Sequence, residues 1–371
     1  MKKRIVTLLT VFALFLTACS NSAEDSPTPQ ETQQNTPTPS PTEVQPDPTP
    51  EVIVTPEKEP EIVDEFFNPL TGLPMEEEKV NDRPVAIMLN NLKAALPQQG
   101  VSQADIIYEL LAEGGITRML GVYQSVDGVG KIGSVRSART YYLELALGHD
   151  AVFLHAGGSP DAYDKIKAWN VTALDCVNGP YEGSLFWRDS QRLKSMSREH
   201  TVVTSGDKIM ELFPKYSFRK EHAEGYTYNI QFVEKGAPEN GSVANEIQVP
   251  FSAYKTGVFT YDKTSGEYFV EEYGMPYVDG NSNKQVSVTN VLVLKTDCSM
   301  IPGDKAGRLA VDLSQGEGWF ACGGKMIPIH WCKKSVNSPL EYFTQDGQPL
   351  FLGVGKSYVN IIPLSNEITV S

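Results

Sequence analysis

QADIIYELLAEGGITRMLGVYQS, residues 103–125, carries the two apolar runs on which the fold turns. In the first run Ile106, Ile107, Leu110 and Leu111 recur at helical spacing. Ser102 with Asp105 three positions later is a variant capping box, and Gly114 is a natural helix stop. The spacing therefore predicts a helix ending near 113, followed by a strand over 116–125. On that helix Glu109 and Glu113 lie four apart on one face, and Arg118 opens the strand.

Upstream, RPVAIMLNN (83–91) is a short apolar run that suits a buried strand. Downstream, KIGSVRSARTYYLELALGHD (131–150) predicts a glycine-bounded turn entering a helix over about 137–147. Arg136 and Arg139 sit three apart at its start, on one face. A helix N-terminus is partly positive, so cations there are disfavoured. Either acidic side chains neutralise the pair, or something anionic binds. DAVFLHAGGSPDAYDKIKAW (150–169) then reads as a strand ending at His155, a Gly157-Gly158 loop, and a helix capped by Ser159 with Pro160 in its first turn.

From about residue 226 the texture becomes strand-rich. FTYDKTSGEYFVEEY predicts a hairpin around Ser265-Gly266, and Asp346-Gly347 marks another turn. A hairpin turning on Gly323-Gly324 would set Cys332 near Gln315. The fold class expected is α+β: a mixed α/β N-terminal domain over 66–225, then a β-rich C-terminal domain over 226–371.

The ends place the protein. Lys2, Lys3 and Arg4 precede an apolar run of twelve residues, too short for a comfortable membrane span and suited to a secretory signal over 1–18. Leu16-Thr17-Ala18-Cys19 resembles a bacterial lipobox, in which Cys19 is lipidated and anchors the chain to the membrane. Residues 19–65 hold ten of the 25 prolines, with no aromatic residue between Cys19 and Phe66. That composition predicts a disordered tether, reaching on the order of 140 Å at ~3.1 Å per residue. Of the net charge of −14, the leader and tether account for all but −7, which falls on residues 66–371. A mildly acidic body disfavours nucleic acid as a partner. The expected location is the extracytoplasmic face of a bacterial membrane.

Cys176, Cys298, Cys322 and Cys332 allow three disulfide pairings, among which the sequence does not choose. No CxxC occurs, and neither metal nor cofactor is expected.

Several segments in order, NPLTGLP, RPVAIMLNN, QADIIYELLAEGGITRMLGVYQS, KIGSVRSARTYYLELA and HAGGSP, resemble the YerB-like lipoproteins, built on a paired N- and C-terminal domain of unknown function. GEGWFACGGKMIPIHWCK and QPLFLGVGKSYVNIIP resemble the C-terminal partner. The resemblance implies a lipoprotein with two domains and brings no reaction. Relatives tend to read PHN where this chain has Arg198-Glu199-His200-Thr201.

The candidate ligand site is an anion site of Arg136, Arg139, Arg118, His155 and Ser159, because forked guanidiniums and helix-start N–H groups suit phosphate or carboxylate. The competing reading pairs Glu109 and Glu113 with Arg118, Arg136 or Arg139 in a structural polar network, with Arg188, Arg192 and His200 as a further basic cluster. No GxSxG, HExxH or Walker loop is present, so turnover is not expected. The expectation is a binder of an anionic envelope ligand or a protein partner; the alternatives are an enzyme on a phosphorylated or glycan envelope substrate, and a structural adaptor. Trp319, Trp331, Tyr342 and Tyr358 are candidates for a glycan-facing surface.

Overall fold

Ile106–Leu111 and Thr117–Tyr123 are the two strands of an antiparallel hairpin, in which Glu109 faces Met119 and Leu111 faces Thr117. The structure, a computed structural model that describes residues 65–371, thus replaces the expected helix with a strand. Every residue of Ile106–Leu111 is buried. A strand covered on both faces reads as a continuous apolar run, and over six residues its spacing matches a buried helix equally well. Asp105 caps no helix: its carboxylate accepts from the Gln124 N–H at 2.6 Å and from the Asn68 amide at 3.0 Å. Gly114 and Gly115, at φ 71° and 75°, make the left-handed turn between the strands.

This hairpin lies inside an eleven-stranded sheet. On one side Thr117–Tyr123 pairs with Val85–Asn90, which is followed by the parallel strands Val152–His155 and Ala173–Asp175. On the other side Ile106–Leu111 pairs with Ser357–Pro363, parallel, and that strand pairs with Asn290–Thr296, also parallel. The hairpin Gln315–Cys322 and Lys325–Cys332 extends the sheet, with Gln315 opposite Cys332 as the Gly323-Gly324 turn requires. Strands from the two halves of the chain therefore lie side by side in one sheet, joined where Ile106–Leu111 pairs with Ser357–Pro363. The described residues make one compact unit. The expected leader, Cys19 and tether lie outside the described residues.

Alternation in the strands sorts the core into two layers. One face carries Ala86, Met88, Tyr108, Leu110, Leu120, Val359 and Ile361, covered by Tyr142, Leu143 and Ala146 of the helix Thr140–Gly148. The other carries Ile87, Leu89, Ile107, Met119 and Val293, covered by Ile247, Phe251, Phe259 and Val270 of a six-stranded antiparallel sheet. That second sheet contains the expected hairpin, Lys255–Asp262 with Glu267–Glu272.

Three charges are sealed between the two sheets. Lys255 reaches Glu109 Oε1 at 2.9 Å and also contacts Glu272, and none of the three side chains is exposed. Glu109 further accepts from Thr117 at 2.6 Å, Asn91 at 2.7 Å and the Tyr358 hydroxyl at 2.6 Å. Burial pushes the Lys255 amine below its ordinary range, against the pull of Glu109. Removing the cation strands two buried carboxylates. Lys255→Met is expected to cost about 3–5 kcal/mol at neutral pH. Denaturant melts of both proteins at pH 7 check this, and a variant as stable as wild type would show that the buried charges contribute nothing net.

Candidate functional site

The carboxyl ends of Val85–Asn90, Ile106–Leu111, Val152–His155 and Ala173–Asp175 share one edge of the central sheet, where open α/β sheets bind ligands. Residues 134–139 cross that edge. The Arg136 N–H donates to the Met88 carbonyl at 2.9 Å, and its carbonyl accepts from Ala156 at 3.0 Å. The Ala138 N–H donates to Gly157 at 2.9 Å. The helix begins only at Thr140, three residues later than expected, so Arg139 is its extended N-cap residue and Arg136 precedes it. The two arginines are brought together by the crossing segment rather than by a helix face.

Glu113, in the hairpin turn, is the hub of the cluster. Arg139 grips it with its guanidinium fork, Nε donating to Oε2 at 3.0 Å and Nη2 to Oε1, and Arg118 Nη2 adds a bond at 2.8 Å. Burial would raise the Glu113 pKa, but the hydrogen bond from Arg139 and the charges of both arginines outweigh it and hold the carboxyl at about 2. Arg118 also donates to the Ser137 carbonyl at 3.2 Å, and Arg136 to the Glu199 carbonyl at 2.7 Å. The Nε–H groups of Arg118 and Arg136 are buried and have no partner among the described residues. Glu109 takes no part here: in a strand it points between the sheets, to Lys255.

The other expected site residues have local work. His155 Nδ1 donates to the Gly157 carbonyl at 2.8 Å, while burial lowers its pKa more strongly than Asp175 raises it. A neutral imidazole there shapes the Gly157-Gly158 loop. Ser159 Oγ accepts from the Ala162 N–H and caps its helix as expected. Asp161, bonded to Thr140 at 2.8 Å and Arg308 at 2.8 Å, already supplies a carboxylate in that first turn. Arg192 is buried against the carbonyls of Ala95, at 3.0 Å, and Pro97, and Arg188 pairs with Glu182 at 3.0 Å. His200 accepts from the Asn90 amide at 2.9 Å beneath Arg136. Sequence reasoning missed Asn90 and the Glu199 carbonyl, which only the crossing of distant loops brings here.

Trp331, Tyr342 and Tyr358 are buried and cannot form a glycan surface; Trp319 is half-buried with Lys295 over its ring. The four cysteines are free thiols. Among the described residues no group of His, Cys, Asp and Glu is placed to hold a metal, and no helix is long and apolar enough to cross a membrane. A groove of about 300 Å³, lined by Val85, Val126, Val152, Ile209 and Phe213, lies at the amino ends of the strands, away from every arginine of the cluster.

Comparison with known proteins places the chain in sequence and in fold. Residues 70–219 match the N-terminal domain, and 247–359 the C-terminal domain, of the protein family of unknown function DUF3048. A Bacillus subtilis (strain 168) protein named "Putative lipoprotein YerB" is 33% identical over 316 residues, which span 84% of this chain and 91% of that protein. The crystal structure of YerB protein from Bacillus subtilis superposes with a TM-score of 0.72 at 30% identity, covering 82% of this chain and 99% of the other.

The hub carboxylate has a testable pH signature. Its folded pKa lies below the unfolded value, so its stabilisation is complete above about pH 4.5 and is lost as the pH falls toward 2. Glu113→Gln should therefore destabilise the protein at pH 7, by about 2 kcal/mol for charge-assisted hydrogen bonds that solvent partly screens. The difference from wild type should narrow between pH 4.5 and pH 2, read from urea melts across that range. A gap constant with pH would assign the loss to packing.

Proposed function

The chain belongs to the DUF3048 family, and on that premise we propose that it is a lipid-anchored protein of the extracytoplasmic face that binds an anionic envelope ligand without turning it over. The observation that carries this reading is the charge balance at the sheet edge. Arg118, Arg136 and Arg139 converge there, and one carboxylate, Glu113, answers two of them. Two buried Nε–H donors are left over. Unpaired buried donors are costly, and an anion satisfies them while offsetting like-charge repulsion. Binding is favoured over nucleophilic chemistry because the hydroxyl and imidazole nearby are engaged: Ser159 caps a helix and His155 holds a loop carbonyl.

Anion binding has a readout in stability. At about 100 times its dissociation constant, an anionic ligand should raise the unfolding free energy by ~2.7 kcal/mol. Arg136→Gln should remove that increment yet leave the unliganded melting temperature nearly unchanged, because Arg136 is only half-buried and its one bond is to a backbone carbonyl. Thermal melts with phosphate and pyrophosphate decide it. A wild type indifferent to every anion, or an Arg136→Gln protein that responds in full, would sink the reading.

The anchor rests on Leu16-Thr17-Ala18-Cys19 and on the lipoprotein label of the relative. Cys19→Ala should release the body into the soluble fraction, since one thiol carries the lipid. Fractionation that finds the mutant still on membranes would place the anchor elsewhere.

A further inference from the structure

The arginine cluster is already partly answered from within, and that fact selects its ligand. We propose that Glu113 is a displaceable internal counter-anion and that the site takes a dianionic phosphoryl group in preference to a carboxylate; this rests on the anion-site reading above.

Glu113 gives both oxygens to the Arg139 fork and shares one with Arg118. An external carboxylate offers the same two oxygens and the same single charge. It would compete with a group already tethered in place, whose effective concentration is on the order of millimolar or more. A carboxylate ligand therefore gains little. A phosphoryl group carries up to two charges and three acceptor oxygens. It can replace Glu113 on Arg139 and Arg118 and still meet the buried Nε–H donors of Arg118 and Arg136, which Glu113 leaves without partners.

The position of Glu113 suits displacement. Its side chain is a quarter exposed, whereas Arg118 is 4% exposed, so the carboxylate covers the guanidinium from the solvent side. It sits just before Gly114 and Gly115, both at positive φ, and a side chain at Gly114 would meet nothing within 4 Å. The turn is open on one side and held on the other, where Ser252 Oγ donates to the Gly115 carbonyl at 2.6 Å.

Other charged and titratable groups border the cluster. Glu199, mostly exposed, flanks Arg136, and His200 lies 3.5 Å from its carboxylate. Tyr141 on the helix faces Arg118 and Arg139, and Arg308 acts on Glu113 from the far side. Protonation of His200 would favour any anion at low pH, so a permanent dianion is the needed control.

The test uses glycerol phosphate, sulfate and acetate as probes, titrated by calorimetry at fixed ionic strength from pH 5 to pH 7.5. The proteins are wild type, Glu113→Gln and Glu113→Asp. Wild type should bind glycerol phosphate and sulfate and ignore acetate. Glycerol phosphate should tighten roughly tenfold across the range as its second proton leaves near pH 6, while sulfate should not tighten. Glu113→Gln should bind glycerol phosphate about tenfold more tightly than wild type and acquire acetate binding. Glu113→Asp, with the charge kept and the reach shortened, should fall between, and it carries the test if the glutamine variant unfolds. If wild type binds glycerol phosphate but neither variant binds it better, Glu113 is not a competitor and the inference fails alone. If acetate matches glycerol phosphate on wild type, the phosphoryl preference is wrong. If no protein responds to any probe, the anion site itself is wrong, and this inference goes with it.

Discussion

Everything in this fold depends on a sheet that is buried on both faces and completed from both ends of the chain. Ile106–Leu111 is flanked by its own hairpin partner on one side and by Ser357–Pro363, some 250 positions later, on the other. Without the late strand, the early one would be an open edge of unpaired backbone groups lined with Ile, Tyr and Leu. Without the second sheet, the face carrying Glu109 and Tyr358 would stand in water. Val85–Asn90 and Val152–His155 are parallel, so the chain between them must return across the sheet, and residues 134–139 cross its carboxyl edge. That crossing sets Arg136 and Arg139 beside the hairpin turn that carries Glu113.

How far the sequence disclosed this follows from the range of the forces involved. Short-range signals were legible: the Ser159 cap, the Gly323-Gly324 turn with Gln315 opposite Cys332, and the alternating hairpin over 255–272 all have local causes. The run Ile106–Leu111 was not, because its conformation is set by neighbours on two faces and two edges, none of them local. Its misreading carried the site residues with it. On a helix Glu109 and Glu113 would share a face and one fate. In a strand and its turn they part, Glu109 into the gap between sheets and Glu113 to the rim. The convergence of Arg136, Arg139 and Arg118 was visible as a charge anomaly, but its partner was legible only as one of two glutamates. Lys255 gave no sign at all: a lysine after Tyr254 reads as a solvent-facing strand start, and only the layer above it makes it buried.

The two polar clusters show how the same materials serve different ends. In the sealed cluster Lys255 meets Glu109 and Glu272, and Tyr358, Thr117 and Asn91 donate to Glu109, with all three charges at zero exposure. Its imbalance is negative and enclosed between the sheets. Such a cluster fixes the register of two sheets, since a slip by one residue would bury each charge against apolar side chains.

The rim cluster has the opposite imbalance and the opposite access. Cations outnumber the carboxylate that binds them, the hub is partly exposed, and the donors left over are inside rather than outside. A purely structural network would be expected to satisfy its cations, because an open guanidinium with buried N–H groups stores unfavourable energy that a second glutamate would relieve. Asp161 shows that the fold can supply such a carboxylate nearby: it meets Arg308 at the next helix start and completes that pair. The cluster around Glu113 is left incomplete a short distance away, on the edge of the sheet where the parallel strands end. An incomplete network at that place is the feature on which the proposed binding role rests.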